Sequence, residues 1–182
     1  VLMGVTLEKT HIARQLLDAM SRVVGGLPGG LGLSVIIVGA LMAASTGIVG
    51  ATVVTMGLMS LPAMLNARYD VPLATGTICA TGTLGQIIPP SIALVLLGDV
   101  LSSAYQQAQL SVGIFNPKTV SVGHLFAGAI IPGLVLVLLY TLYIVSTATL
   151  SPEKAPPVKV DNIRFTLILS SIFPPLFLIL AV

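Results

Sequence analysis

ATGTLGQIIPPSIALVLLGDV (Ala80–Val100) is apolar and long enough to belong to a membrane helix, yet Gly85, Pro89, Pro90 and Ser91 break it at its centre. Proline has no N–H, so in an otherwise helical stretch the carbonyls of Gly85 and Gln86 lose the donors four residues on. Backbone left unpaired at membrane depth costs several kcal/mol unless protein covers it or it lines a polar cavity. The stretch reads as a discontinuous helix whose freed oxygens take another partner. The plainer alternative is a kink absorbed by helix packing.

The rest of the chain sets that helix in a bilayer. Of the 182 residues, 55% are hydrophobic and 8% charged, and the mean hydropathy of +1.06 is far above that of an ordinary globular domain. No Asp, Glu, Lys or Arg occurs from Val23 to Ala67 or from Val71 to Gly98, gaps of bilayer size or more. These features predict an all-α, polytopic membrane protein. The net charge of +2 comes from loop residues and offers no nucleic-acid surface. The lone cysteine, Cys79, excludes an intrachain disulfide and reads as a small packing residue.

A second irregular segment lies upstream. Leu31–Ala44 is apolar, but its roughly 21 Å of helix falls short of a ~30 Å hydrocarbon core. STGIVGAT (Ser45–Thr52) is small and hydroxylated, and the chain then returns toward Arg68 and Asp70. A turn on the far side of the membrane should carry charged or aromatic anchors, and this one has none. Residues 31–66 therefore read as a re-entrant helical hairpin, with two complete helices joined by a tight turn as the alternative. Both return the chain to the side it left.

Ahead of the hairpin, Ile12, Leu16, Ala19, Met20 and Val23 recur at helical spacing opposite Arg14, Asp18 and Arg22, the pattern of an amphipathic helix lying in the interface. Residues 1–24 form the end of a cut helix plus this arm, and GGLPGG (Gly25–Gly30) turns the chain into the hairpin. The broken helix occupies 72–100. Residues 101–149 hold a polar loop and an apolar helix, His124–Thr147; 150–163 form a Pro-rich charged linker; 164–182 begin another helix. Both ends read as cuts through membrane segments, and VLMGV shows no signal-peptide pattern. Seven of the eight Lys and Arg (Lys9, Arg14, Arg22, Arg68, Lys154, Lys159, Arg164) share one side and only Lys118 the other, so the hairpin opens from the cytoplasm.

The chemistry that this pattern favours is cation binding by oxygen. Thr81, Thr83, Ser91 and the freed carbonyls near Gly85 and Gln86 supply hydroxyl and carbonyl ligands, which suit a hard ion such as Na+. Ser45, Thr46 and Thr52, with backbone opened by Gly47 and Gly50, offer the matching half. Two interrupted segments of this sort point to a secondary-transport site at the bilayer midplane. No nucleophile elbow, metal-ligand spacing or phosphate loop is present, so no catalytic residue is assigned and ATP hydrolysis is not expected. His11 and His124 read as interface anchors and Asp99 as a solvated helix-end residue. A passive channel or a structural subunit is the alternative class, although the apolar helix Leu125–Val145 argues against a hydrophilic pore.

The segments GALMAASTGIVGATVVTMGLMSLPAM (39–64), YDVPLATGTICATGTLGQIIPPSIALVLLGD (69–99) and GHLFAGAIIPGLVLVLLY (123–140) occur together and in order. They resemble the large membrane subunit of tripartite ATP-independent periplasmic (TRAP) transporters, over about Leu2 to Pro157. The resemblance implies an elevator-type secondary transporter of the bacterial inner membrane that takes up organic acids with Na+ as the coupling ion and no other cofactor. Its partners would be a periplasmic solute-binding protein, a small membrane subunit and lipid. The tip residues Ser45, Thr46 and Gly47, together with Thr81, Gly82, Thr83, Gly85, Pro89, Pro90 and Ser91, would then form one sodium site and half of the solute site. Its metal ligands would be backbone oxygens near Ser45, Gly47, Gly82 and Gly85. It also implies a second inverted repeat, beyond this sequence, carrying the other half.

Overall fold

The computed structural model describes residues 12–116 and 118–158. Within them every regular element is helical: α1 (Ile12–Val24), α2 (Gly30–Thr46), α3 (Val49–Asn66), α4 (Val71–Thr83), a 3-10 turn (Leu84–Gln86), α5 (Ile92–Ser111) and α6 (Val122–Leu150). The expected helix end in residues 1–6, the start of the arm at His11, and the final helix 164–182 lie outside the described residues.

Helix α1 is amphipathic, burying Leu16, Leu17 and Ala19 while Asp18 and Arg22 face outward. Its apolar face stops short of Val23, which is 43% exposed. The buried stripe runs through adjacent Leu16 and Leu17 because α1 packs against α2 along that line.

Helix α2 lies at the centre, touching α1, α3, α4 and α6, and it reads as apolar all round because it is buried on most sides. Val35, Ile36 and Val38 of α2 meet Met56 and Met64 of α3, Ala74 and Ile78 of α4, and Ile144 and Ala148 of α6 in one core. Helices α3 and α6 are long and apolar enough to cross a membrane, and α2 is a shorter apolar helix. The hairpin arms α2 and α3 have 17 and 18 residues, about 25 and 27 Å at ~1.5 Å per residue, against a ~30 Å hydrocarbon core.

Three boundaries differ from the sequence reading. Ser45 and Thr46 continue α2, and Thr52 sits inside α3, so only Gly47 and Ile48 form the turn. Back-bonding satisfies the Thr52 hydroxyl within its helix, where it donates to Ile48 O at 2.8 Å. The polar stretch after Val100 is not a loop at first: α5 runs on to Ser111, where Gly113 (φ 85°) ends it. Helix α6 exceeds 124–147 at both ends, with the Ser121 hydroxyl accepting the Gly123 N–H at 3.2 Å.

Turn chemistry locks the base of the hairpin. At the end of α3, Arg68 is left-handed (φ 61°), and the N–H groups of Arg68 and Tyr69 donate to Leu65 O and Met64 O, each at 3.0 Å, a Schellman turn. This aims Tyr69 back at the start of α2, where its hydroxyl accepts the Gly32 N–H at 3.4 Å. Burial pushes the Tyr69 phenol above its ordinary pKa, against the opposite pull of the Gly32 and Leu31 amides. The linker docks here too: Gly29 N–H donates to Ala155 O (3.0 Å), Asp70 N–H to Lys154 O (3.0 Å) and Val158 N–H to Gly25 O (2.8 Å). Ala155 is fully buried.

One group in this core is unpaired among the described residues: the Ser60 hydroxyl, on the buried face of α3. A buried hydroxyl without a partner costs about 1–3 kcal/mol. Ser60→Ala should therefore raise the thermal unfolding temperature of the detergent-solubilised protein, by the equivalent of about 1 kcal/mol. Tyr69→Phe should lower it by a similar amount, since the first turn of α2 loses an acceptor.

Candidate functional site

The hairpin tip and the helix break are in direct contact. Gly47 closes α2 in the left-handed conformation (φ 63°), its N–H donating to Ala43 O at 3.3 Å. Only glycine takes this turn without strain. It is also the only residue that fits, because a Cβ here would stand 2.8 Å from the Pro90 carbonyl oxygen. On the other side of the tip, a Cβ on Gly85 would lie 3.8 Å from Ala43 O and from Ile48 N. The break thus curls around the tip, main chain against main chain.

Two further close approaches set the depth of this packing. A Cβ on Gly39 of α2 would collide with the Thr81 methyl, and one on Gly82 of α4 would collide with Val53 of α3. Helix α4 therefore sits in the groove of the hairpin at backbone distance, which carries its unwound end to the tip.

Within the break, Leu84 O accepts N–H groups from both Ile87 (3.0 Å) and Ile88 (2.8 Å). The Pro89–Pro90 peptide bond is cis. Ser91 bridges the gap: its hydroxyl donates to Gln86 O at 2.6 Å and accepts from Leu94 N–H at 3.3 Å. One buried serine satisfies the oxygen that Pro90 orphans and also caps the N-terminus of α5. Gln86 O, expected among the freed oxygens, thus accepts one hydrogen bond from within the break. Ser91, expected among the ligands, commits its proton and one lone pair to these two bonds.

Of the expected site residues, Gly47, Gly85 and Pro90 meet at the junction, with Pro89 next in the chain, while Thr81 and Gly82 pack further from the tip, against Gly39 and Val53. Ser45 and Thr46 bring their backbone there as the last turn of α2, while the placement of their side chains lies outside the described residues. Thr83 and Gln86 expose their side chains, Thr83 donating to Ala80 O at 2.7 Å. Thr81 is fully buried and donates to Thr77 O at 2.6 Å. Because that proton points back along the helix, what its oxygen has left is acceptor capacity, which suits a cation and not an anion. Among the described residues no cluster of His, Cys, Asp or Glu could hold a metal. Sequence reasoning missed Ala43, whose backbone packs beside Gly85, and the spacer role of Gly39. Glycine inside an apolar helix is the signal for both.

The whole chain, residues 1–182, matches the family model described as the DctM component of the tripartite ATP-independent periplasmic transporter. The chain belongs to the DctM family. A C4-dicarboxylate TRAP transporter large permease protein of Rhodobacter capsulatus is 36% identical over 141 residues, covering 75% of this chain and 30% of the relative. An isethionate TRAP transporter permease protein of Oleidesulfovibrio alaskensis is 33% identical over 131 residues, 72% of this chain and 18% of the relative. A 2,3-diketo-L-gulonate TRAP transporter large permease protein of Escherichia coli is 29% identical over 136 residues, 75% of this chain and 28% of the relative. This DctM chain spans about 30% of the length of the C4-dicarboxylate relative, and no solved structure matches it. DctM proteins are membrane permeases, and two helices here are apolar and long enough to cross.

The tip contact in this DctM chain makes a sharp prediction. Gly47→Ala combines left-handed strain of about 1–2 kcal/mol with a clash against Pro90 O, so it should lower thermal stability and loosen the tip. Gly50→Ala, where nothing lies within 4 Å of the added methyl, should be neutral or stabilising by up to about 1 kcal/mol. Thermal unfolding of the two variants in detergent checks the contrast.

Proposed function

We propose that this chain forms the sodium-binding half of a secondary active transporter, which takes up organic acids across the bacterial inner membrane. The observation that carries this reading is the contact of Gly47 with the Pro90 carbonyl, which joins two non-helical backbone segments at one place. On this reading α2–α3 is a re-entrant hairpin and α4–α5 a discontinuous membrane helix, their interruptions meeting near the midplane. The anchor-free turn Gly47–Ile48 supports it.

Na+ is held by oxygens converging there: carbonyls near Ser45, Gly47, Gly82 and Gly85, with the Thr81 hydroxyl behind them. Gly85 O is the natural core of the set, because its helical donor position is Pro89. Binding of the ion fixes the tip against the break and shapes the solute pocket, so each ligand raises affinity for the other. The relatives named above carry C4-dicarboxylate, isethionate and diketogulonate in their names, all organic anions. An anion is favoured beside bound Na+ and the N-terminus of α5. The second repeat supplies the other half of the pocket. A periplasmic binding protein delivers solute, a small membrane subunit braces the static scaffold, and the unit moves as an elevator with α1 as its tether.

The full-length permease, reconstituted with its small subunit and binding protein, should take up its solute from a Na+ bath and stop when K+ replaces Na+. Pro89→Ala with Pro90→Ala restores the missing N–H groups, so the double variant should be expressed and folded but lose sodium-dependent uptake. Uptake indifferent to the cation would sink the coupling, and a wild-type sodium response in the double variant would sink the role of the break.

A further inference from the structure

A cavity of about 650 Å³ lies between α4 and α6, with Ile36 of α2 and Lys154 of the linker also on its wall. Its threonines offer no proton to an occupant: Thr77 donates to Leu73 O (2.7 Å), Thr81 to Thr77 O (2.6 Å) and Thr147 to Tyr143 O (2.8 Å). The rest of the wall is Pro72, Leu73, Gly76, Ala80, Ile144 and the tyrosines Tyr140 and Tyr143. Apart from these two phenol hydroxyls the wall between the helices offers no donor, which suits a hydrocarbon chain better than an anionic solute, whose charge needs several converging donors.

The mouth is different. Asp70 and Lys154 both reach it, and among the described residues neither forms a salt bridge. From Asp70 to Thr81 the cavity runs along α4 for about 16 Å at ~1.5 Å per residue, close to half of a ~30 Å hydrocarbon core. The cavity therefore has one leaflet's depth, an apolar body and a mouth bearing charges of both signs.

We infer that it seats one acyl chain of a cytoplasmic-leaflet phospholipid with an ethanolamine headgroup. The lipid ammonium faces the Asp70 carboxylate and its phosphate faces Lys154. The orientation rests on the proposed function above, since the mouth is cytoplasmic only if the linker is. The chain end lies behind Thr81, on the side away from the tip, so the lipid fills the back of the proposed ion site without entering it.

The test uses the full-length transporter in nanodiscs of phosphatidylethanolamine carrying a photoactivatable diazirine near the end of one acyl chain, with adducts mapped by mass spectrometry. Adducts should concentrate on 76–81 and 140–147, above the level on the exposed Leu134, Val135, Leu138 and Leu139. Filling the cavity with Ala80→Trp or Gly76→Leu should reduce them severalfold while labelling at those exposed residues stays constant, which also reports an intact fold. Asp70→Asn with Lys154→Gln should abolish the preference for ethanolamine over glycerol headgroups in competition. Equal labelling of both groups, labelling unaffected by the filling variants, or an unlabelled cleft occupied by another helix of the transporter would each overturn the proposal. Sodium-dependent uptake is a separate readout: if it fails while the labelling holds, the coupling falls and the lipid site stands.

Discussion

The Gly47 backbone lies against the Pro90 carbonyl, and this main-chain contact is the constraint around which the other elements are arranged. Contact at that range tolerates no side chain, so the tip is a left-handed glycine. Gly39 and Gly82 extend the same requirement along the helices, letting Thr81 and Val53 close the gap between α4 and the hairpin. The break supplies the complementary need: a chain that stops being helical inside an apolar core must place its orphaned groups somewhere. Ser91 takes Gln86 O and Leu94 N–H in one stroke.

Much of this was legible in the letters because prolines and glycines act locally. Two adjacent prolines forbid hydrogen bonds wherever the chain goes, so the interruption after Thr83 needed no tertiary knowledge. The charge-free runs and the Leu16–Ala19 face were equally local. The rest depended on partners. Nothing in SSAYQQAQLS says that α5 continues through it, because serine and glutamine are tolerated in a helix, and what stops this one is Gly113. Nothing local says that Ser91 bonds the backbone on either side of the break, and only the geometry shows it. The two-residue turn was hidden by composition: Ser45 and Thr46 favour turns by propensity, yet they extend α2 because its packing outweighs that weak preference.

The hydroxyls of the buried helices follow one rule. Ser34, Thr52, Thr77 and Thr81 all donate to the carbonyl four residues back. Each polar side chain is thereby neutralised as a donor within its own helix, which lets a threonine-rich helix such as α4 sit in an apolar setting. Ser60 stands outside this rule, and it is the one hydroxyl of the described core for which the packing gives no partner.

The docked linker has a mechanical consequence. Its three main-chain bonds reach Gly25, Gly29 and Asp70, the entrances to the hairpin and to α4, and it is itself the continuation of α6. A pull on the chain beyond Val158 is therefore shared among these entrances instead of being delivered to one helix. Because backbone atoms make the bracket, it tolerates side-chain change everywhere except at the buried methyl of Ala155.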